Sequence, residues 1–370
     1  PGSIAANLDN DTTDLELAAG YSIYKVKLNN LNGIFGNTLV AKNIMVDNEF
    51  RDGFTSVGDI NNDSTLDVVV CSPSLNKQAM VYAYSLSNTN VNLIAKITLQ
   101  NSFSSAIGFA TIGHTEKSNP ISILFNTPIN LNSISYDGSL NFKFNWNYPI
   151  TDTSGYVGVS LFDFNNDGIQ ELIVRDETNL SIFDASQNIP TLLANQACLS
   201  STSSESLIIG NIDNSHHAKI CVTCGTFPLE NPGHLTVFGG PDSFPWPPAR
   251  SVWNQYAYNP LQINDDLTVP RYQKNQATYK NGKYNNFYQQ ESLLDSNGMY
   301  KVAAASLTGA IQCINYDPLT DEYLVIFDVY NRKDASAIAD TNLAISFYDG
   351  EPTNGAALLG IYYSNKKIYR

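Results

Sequence analysis

The sequence is short of charge, of long apolar runs and of histidine. Lys, Arg, Asp and Glu make up 15% of 370 residues, well under the share in an ordinary globular protein. Disorder is excluded, because a disordered chain joins low hydrophobicity to many charges, and 43% of these residues are apolar. No apolar run approaches the roughly 20 residues that cross a bilayer as a helix. The chain opens Pro1-Gly2-Ser3 straight into polar residues, with no signal-peptide pattern. Only four histidines occur. G-x-S-x-G, H-E-x-x-H, Walker and dinucleotide glycine patterns are missing, so the expectation is a protein that is not an enzyme. Acids outnumber bases 35 to 21, a net charge of −14. Nucleic acid is excluded as a partner, since phosphate binding needs clustered Lys and Arg.

Asn, Ser, Thr and Tyr carry the polarity, which favours turns and strands over helices. Repetition organises the first two thirds. Gly58–Val70 reads GDINNDSTLDVVV and Leu161–Val174 reads LFDFNNDGIQELIV. Weaker copies are Asn7–Gly20, NLDNDTTDLELAAG, and Gly210–Thr223, GNIDNSHHAKICVT. The loops start at residues 7, 59, 163 and 211, and Gly108–Phe125 supplies the missing copy near 111. Units of about 50 residues with several short strands predict an all-β fold, a β-propeller of such blades over residues 1–245.

The pattern fades in Pro241–Arg250, PDSFPWPPAR, which cannot be a central strand. Residues 246–299 read as an ordered connector rich in Asn, Gln and Tyr, because Trp253, Tyr256 and Tyr258 are costly to expose together. Alternating strands resume over 300–370 and predict an incomplete immunoglobulin-like β-sandwich, with Val325, Phe327 and Val329 facing inward.

The loops carry the chemistry. D-x-N-x-D-x-x-x-D/E places oxygens at alternate positions, as a turn wrapping one Ca2+ requires. The expected ligands are Asp59, Asn61, Asp63 and Asp67 with the carbonyl of Thr65, then Asp163, Asn165, Asp167 and Glu171 with that of Ile169. The competing reading is an Asx-rich turn that caps its own backbone. Asn7, Asp9, Asp11 and Glu16 form a weaker set with one extra residue. Asn211, Asp213 and Ser215 end at Lys219, which puts a cation where a ligand should be; His216 and His217 decorate that turn. Thr111–His114 is expected to be metal-free, and Asn264-Asp265-Asp266 to be a turn. Cys221-x-x-Cys224 lacks the second pair a zinc site would need. In an oxidising compartment the five cysteines, Cys71, Cys198, Cys221, Cys224 and Cys313, predict one or two disulfides, with Cys198 near the Cys221/Cys224 pair and no connectivity readable.

The loops at Asp59–Asp63 and Asp163–Asp167 resemble the FG-GAP/VCBS repeat of integrin-α-like propellers, over roughly residues 4–240. Pro245–Pro270 and Phe327–Gly355 resemble a segment of large Bacteroidota surface proteins that joins such repeats to a CARDB-like immunoglobulin domain. The resemblance implies an extracellular or cell-surface location, type IX secretion and a calcium-stabilised adhesin or fibre segment. The alternative is a polysaccharide-binding or polysaccharide-cleaving propeller: a lectin, lyase or glycosidase. Implied partners are other surface proteins, neighbouring subunits or extracellular glycans, with self-assembly through the incomplete C-terminal sandwich and no membrane span in this chain. Thr12 and Ser64 match a Bacteroidota O-glycosylation pattern that also arises by chance in a Ser/Thr-rich chain.

Overall fold

The computed structural model describes residues 2–11, 15–27, 38–43, 50–74, 76–87, 90–99, 105–117, 121–187, 189–200, 206–213, 215, 217–225, 233–270, 273–294, 307–332, 339 and 341–369. Thr12, His216 and the expected strand start at residues 300–306 lie outside them. The chain divides into two compact units, Pro1–Ser292 and Leu293–Arg370.

The first unit is a succession of antiparallel sheets, each following the repeat. The first holds β1 (Ile4–Ala6), β2 (Glu16–Ala19), β3 (Ser22–Lys27) and β4 (Thr38–Asn43), and the second β5 (Phe54–Gly58), β6 (Asp67–Pro73), β7 (Ala79–Ser87) and β8 (Asn90–Thr98). The third holds β9 (Thr111–Gly113), β10 (Ser122–Thr127), β11 (Asn130–Ser135) and β12 (Lys143–Pro149). The fourth holds β13 (Val159–Phe162), β14 (Glu171–Arg175), β15 (Asn179–Asp184) and β16 (Thr191–Ala197). The fifth has three strands, β17 (Ile208–Gly210), β18 (Lys219–Cys224) and β19 (His234–Gly239).

Neighbouring sheets pack face to face, so their middle strands are apolar on both sides. In β14, Leu172 and Val174 join Leu124, Leu131 and Trp146 of the third sheet, while Ile173 joins Ile209 and Ile220 of the fifth. Each such side chain contributes about 1.5–3 kcal/mol on burial.

Residues 276–290 run along the first strands of four sheets. Gln276 Nε2 donates to the Val57 carbonyl at 3.2 Å, and Phe287 exchanges backbone bonds with Ile112. The N–H of Leu161 donates to the Tyr288 carbonyl at 3.3 Å, and Gln290 Nε2 donates to the Ile209 carbonyl at 2.7 Å. Trp253 stacks on fully buried Tyr258 with ring centroids 4.4 Å apart.

The second unit holds two hairpins, β20 (Leu307–Asp317) with β21 (Glu322–Asn331) and β22 (Ala344–Tyr348) with β23 (Leu358–Tyr363). Val325, Phe327 and Val329 are half-buried, and Phe327 meets Phe347 and Tyr362 edge-on.

The expected propeller with a partial immunoglobulin-like sandwich is corrected by this topology. The described residues form seven separate antiparallel sheets, and none closes into a barrel or ring through its hydrogen bonds. Repeat spacing specifies sheet after sheet but is silent on closure, which depends on the rotation between sheets. Likewise, two two-stranded hairpins are not the two multi-stranded sheets that an immunoglobulin sandwich requires.

Candidate functional site

The three acidic loops are built alike. Each joins the first and second strands of its sheet, and each closes on a backbone N–H donated to the carboxylate that opens the second strand. These bonds are Leu8 N to Glu16 Oε2 at 2.9 Å, Ile60 N to Asp67 Oδ2 at 3.0 Å and Phe164 N to Glu171 Oε2 at 2.7 Å. A second bond also recurs: the N–H groups of Asp11, Asp63 and Asp167 donate to side-chain oxygens of Asp9, Asn61 and Asn165. The extra residue before Glu16 therefore does not prevent closure.

In the second and fourth sheets the first acid is held twice. Asp59 accepts from the N–H groups of Asp63 and Ser64 at 3.1 and 2.8 Å. Asp163 accepts from those of Asp167 and Gly168 at 3.1 and 3.0 Å. Asn62 and Asn166 take φ values of 61° and 60°, a left-handed turn that asparagine tolerates. The N–H groups of Thr65 and Ile169, the residues expected to lend carbonyls, donate to Asp63 and Asp167, both at 2.8 Å. Asn61 Nδ2 donates to Asp63 Oδ2 at 3.0 Å, and Asn165 Nδ2 to Glu171 Oε1 at 2.9 Å.

Burial dominates the electrostatics of the closing acids. It pushes Asp67 up to about 8, against the bond from Ile60 and with help from Asp63 and Asp59. It pushes Glu171 up to about 8 as well, with Asp163 and Asp167 adding to the effect. Asp59 and Asp163 are also raised, first by burial. As the side chains stand, no three His, Cys, Asp or Glu residues among those described are grouped to hold a metal. Among the expected ligands, Asp67 Oδ1 and Asn7 Oδ1 are buried and without a hydrogen-bond partner, as an oxygen facing a cation would be.

The remaining loops diverge. In the fifth sheet Lys219 Nζ lies 3.6 Å from Asp213 Oδ2 and donates to Ser215 Oγ at 3.2 Å, so a tethered ammonium sits among the loop oxygens. His217 Nδ1 is 2.9 Å from the Trp246 carbonyl. The third loop contains an acid the sequence pattern passed over. Glu116 is buried, and its Oε1 accepts from Ser133 Oγ at 2.9 Å and Trp146 Nε1 at 3.0 Å. Residues 264–268 form a turn in which Asp266 accepts the N–H of Thr268 at 3.0 Å.

Beside the second loop lies a polar cleft of about 660 Å³ whose walls include Asp59, Asn62, His114, Tyr136, Thr278 and Asn281. Asn285, also in its wall, binds Asp59 through both backbone groups, accepting the Asp59 N–H at 2.8 Å and donating to the Asp59 carbonyl at 2.7 Å. Sequence reasoning missed His114, Tyr136 and Asn285 because they come from separate segments with no shared motif.

Cys198 and Cys224 form a disulfide with Cα atoms 5.0 Å apart, joining the end of β16 to the end of β18. Cys71 and Cys221 are buried free thiols, and Cys313 is exposed.

No family model matches the chain, and no curated protein matches it. Among solved structures it is similar to the V. cholerae biofilm matrix protein Bap1, at 16% identity and TM-score 0.39, over 78% of this chain and 41% of that one. It is similar to a rhamnogalacturonan lyase of Bacillus licheniformis at 10% identity and TM-score 0.33, over 54% of this chain and 47% of that one. The rhamnogalacturonan lyase YesW matches at 12% identity and TM-score 0.34, over 92% and 73%. The chain spans less than half the length of the first two. These findings correct the resemblance: no FG-GAP, VCBS or CARDB pattern matches, and type IX secretion has no support. The expectation of a non-enzyme is likewise withdrawn. The protein is extracellular, in keeping with its disulfide; among the described residues no helix is long and apolar enough to cross a membrane.

Proposed function

We propose that the protein is a polysaccharide-directed module of a secreted bacterial protein, and that a glycan lies in the cleft beside Asp59, His114 and Tyr136. The supporting observation is the chemistry of the cleft wall. Exposed Asn62, Thr278 and Asn281 offer donors and acceptors suited to sugar hydroxyls. Tyr136 adds an aromatic ring with a polar tip. Histidine is the side chain suited to accept a proton at neutral pH, which gives His114 the part of general base in chain cleavage.

Calcium belongs to the same proposal, held by Asp59, Asp63 and Asp67 and, in the fourth sheet, by Asp163, Asp167 and Glu171. The buried Asp67 Oδ1 without a partner supports it, because a bound cation would supply the charge that this oxygen lacks.

The test incubates the protein with soluble rhamnogalacturonan and a panel of other polysaccharides in calcium, measuring binding and release of new chain ends. Cleavage is expected, and His114→Ala should slow it by about 10²–10⁴-fold while binding persists. Binding without cleavage would remove the role of His114 and leave an adhesin-like module. Failure to bind or cut any polysaccharide would overturn the reading.

A further inference from the structure

Among the described residues the fifth sheet has three strands, where the other sheets of its unit have four. Its last strand, β19, pairs with β18 on one side in an unbroken register of six residue pairs. Among the described residues no strand pairs with its other side. Edge strands are normally blunted by bulges, lysines or prolines, because a bare edge is a template for another strand. The outer strands of the second, third and fourth sheets show such devices. Each joins its neighbour through a register shift; β8 also carries Lys96, and β12 carries Lys143 and Pro149. In β19 none of these is present. It reads His-Leu-Thr-Val-Phe-Gly, with Phe238 packed on the core and Leu235 and Val237 exposed at 72% and 47%.

An apolar groove of about 440 Å³ runs between β16 and β19 over Phe164, Ile182, Phe238 and Trp246, and no acidic or basic residue lines it. Leu193 and Phe244 stand at its rim, each 55% exposed. Two copies of a chain with net charge −14 repel one another over most of their surfaces. A contact between copies is favoured where acids are missing, and this strip is such a place.

We propose that β19 pairs antiparallel with β19 of a second copy about a twofold axis, giving one continuous sheet across a dimer. An antiparallel strand meeting itself satisfies the twofold with a single surface, so the contact closes and does not propagate. An uncharged strand meets no like charge across the pair. Leu235 and Val237 lie on one face of β19 by the period of two, the face opposite Phe238 and the groove, so the twofold brings four exposed apolar side chains together on the outer face of the joined sheet. This inference is independent of the glycan cleft.

Sedimentation velocity over a concentration series at physiological salt tests it, with hydrogen exchange of residues 234–239 read at the same concentrations. A monomer–dimer equilibrium is expected, with protection of the β19 amides rising as dimer forms. Leu235→Lys combined with Val237→Lys should weaken dimerisation by about tenfold or more. Both sites are exposed, and an unchanged circular dichroism spectrum would show that the variant folds. Leu319→Lys, at a position 94% exposed on the β20–β21 turn, should leave the equilibrium unchanged. A monomer at every concentration overturns the proposal, as does a dimer that survives the double substitution. Protection of β19 already complete in dilute monomer also overturns it, because another segment of the same chain would then cover the edge.

Discussion

Asn285 holds Asp59 by both of its backbone groups, at 2.8 and 2.7 Å, across 226 residues of sequence. The amide side chain thus acts as a short strand partner for the residue that opens the second acidic loop. Because the Asp59 carboxylate in turn accepts two N–H groups of its own loop, this contact ties the loop to residue 285 in addition to its own strands.

Asn285→Ala should therefore destabilise the first unit by about 1–3 kcal/mol, the cost of leaving a part-buried donor and acceptor unmatched. Asn285→Asp should recover only half of the pair, since a carboxylate accepts the Asp59 N–H but repels the Asp59 carbonyl. Urea denaturation of the three proteins gives the order. Equal stability of all three would show that the loop stands without the contact.

The closing acids make stability depend on pH in a defined direction. Asp67 titrates near 8 in the folded chain, against 3.8 ordinarily. Between those values the folded state keeps a proton that the unfolded state has released, so stability is full below the ordinary value and is lost as pH rises through about 8. Glu171 acts in the same sense. In chelator, Tm should fall from about pH 5 to about pH 8, and Asp67→Asn should flatten that fall. Added calcium should restore Tm at the alkaline end, where the proton has left and the loop charge is greatest. Lys219 marks the contrast, because the fifth loop carries its cation covalently beside Asp213. A Tm indifferent to both pH and chelator would remove calcium from these loops.

The acidic loops were legible because their chemistry is local. The carboxylates of Asp59, Asp67, Asp163 and Glu171 accept bonds from residues within eight positions, and the turn-capping alternative accounts for most of these hydrogen bonds. That each repeat holds several short strands was readable for the same reason. Closure of the array was not, since no residue pattern reports the angle between one sheet and the next. Asn285 was invisible because its value lies in a partner 226 positions away. Glu116 was passed over because the pattern being sought was alternating acids. What surrounds it is Ser122, Ser133, Asn145 and Trp146, residues that only the pairing of β10, β11 and β12 assembles.

That cluster yields the last prediction. Glu116 Oε1 is the shared acceptor for two hydroxyls, one amide and one indole, inside a sheet where water cannot replace it. Glu116→Gln keeps an acceptor oxygen in place but removes the charge, so the hydrogen bonds drop from charge-assisted to neutral strength, a loss of about 1–2 kcal/mol. Glu116→Ala removes the acceptor and strands the buried Trp146 Nε1–H, and should cost about 3–5 kcal/mol, as when one partner of a buried polar network is deleted. Tryptophan fluorescence reports the site directly, because Trp146 would lose its carboxylate partner in both variants. The expected order of stability in urea is wild type, then Glu116→Gln, then Glu116→Ala, with the emission of Trp146 shifted most in the last. Should Glu116→Ala melt with the wild type, the buried carboxylate would be an incidental passenger and the third sheet would owe its cohesion to Leu124, Leu131 and Trp146 packing alone.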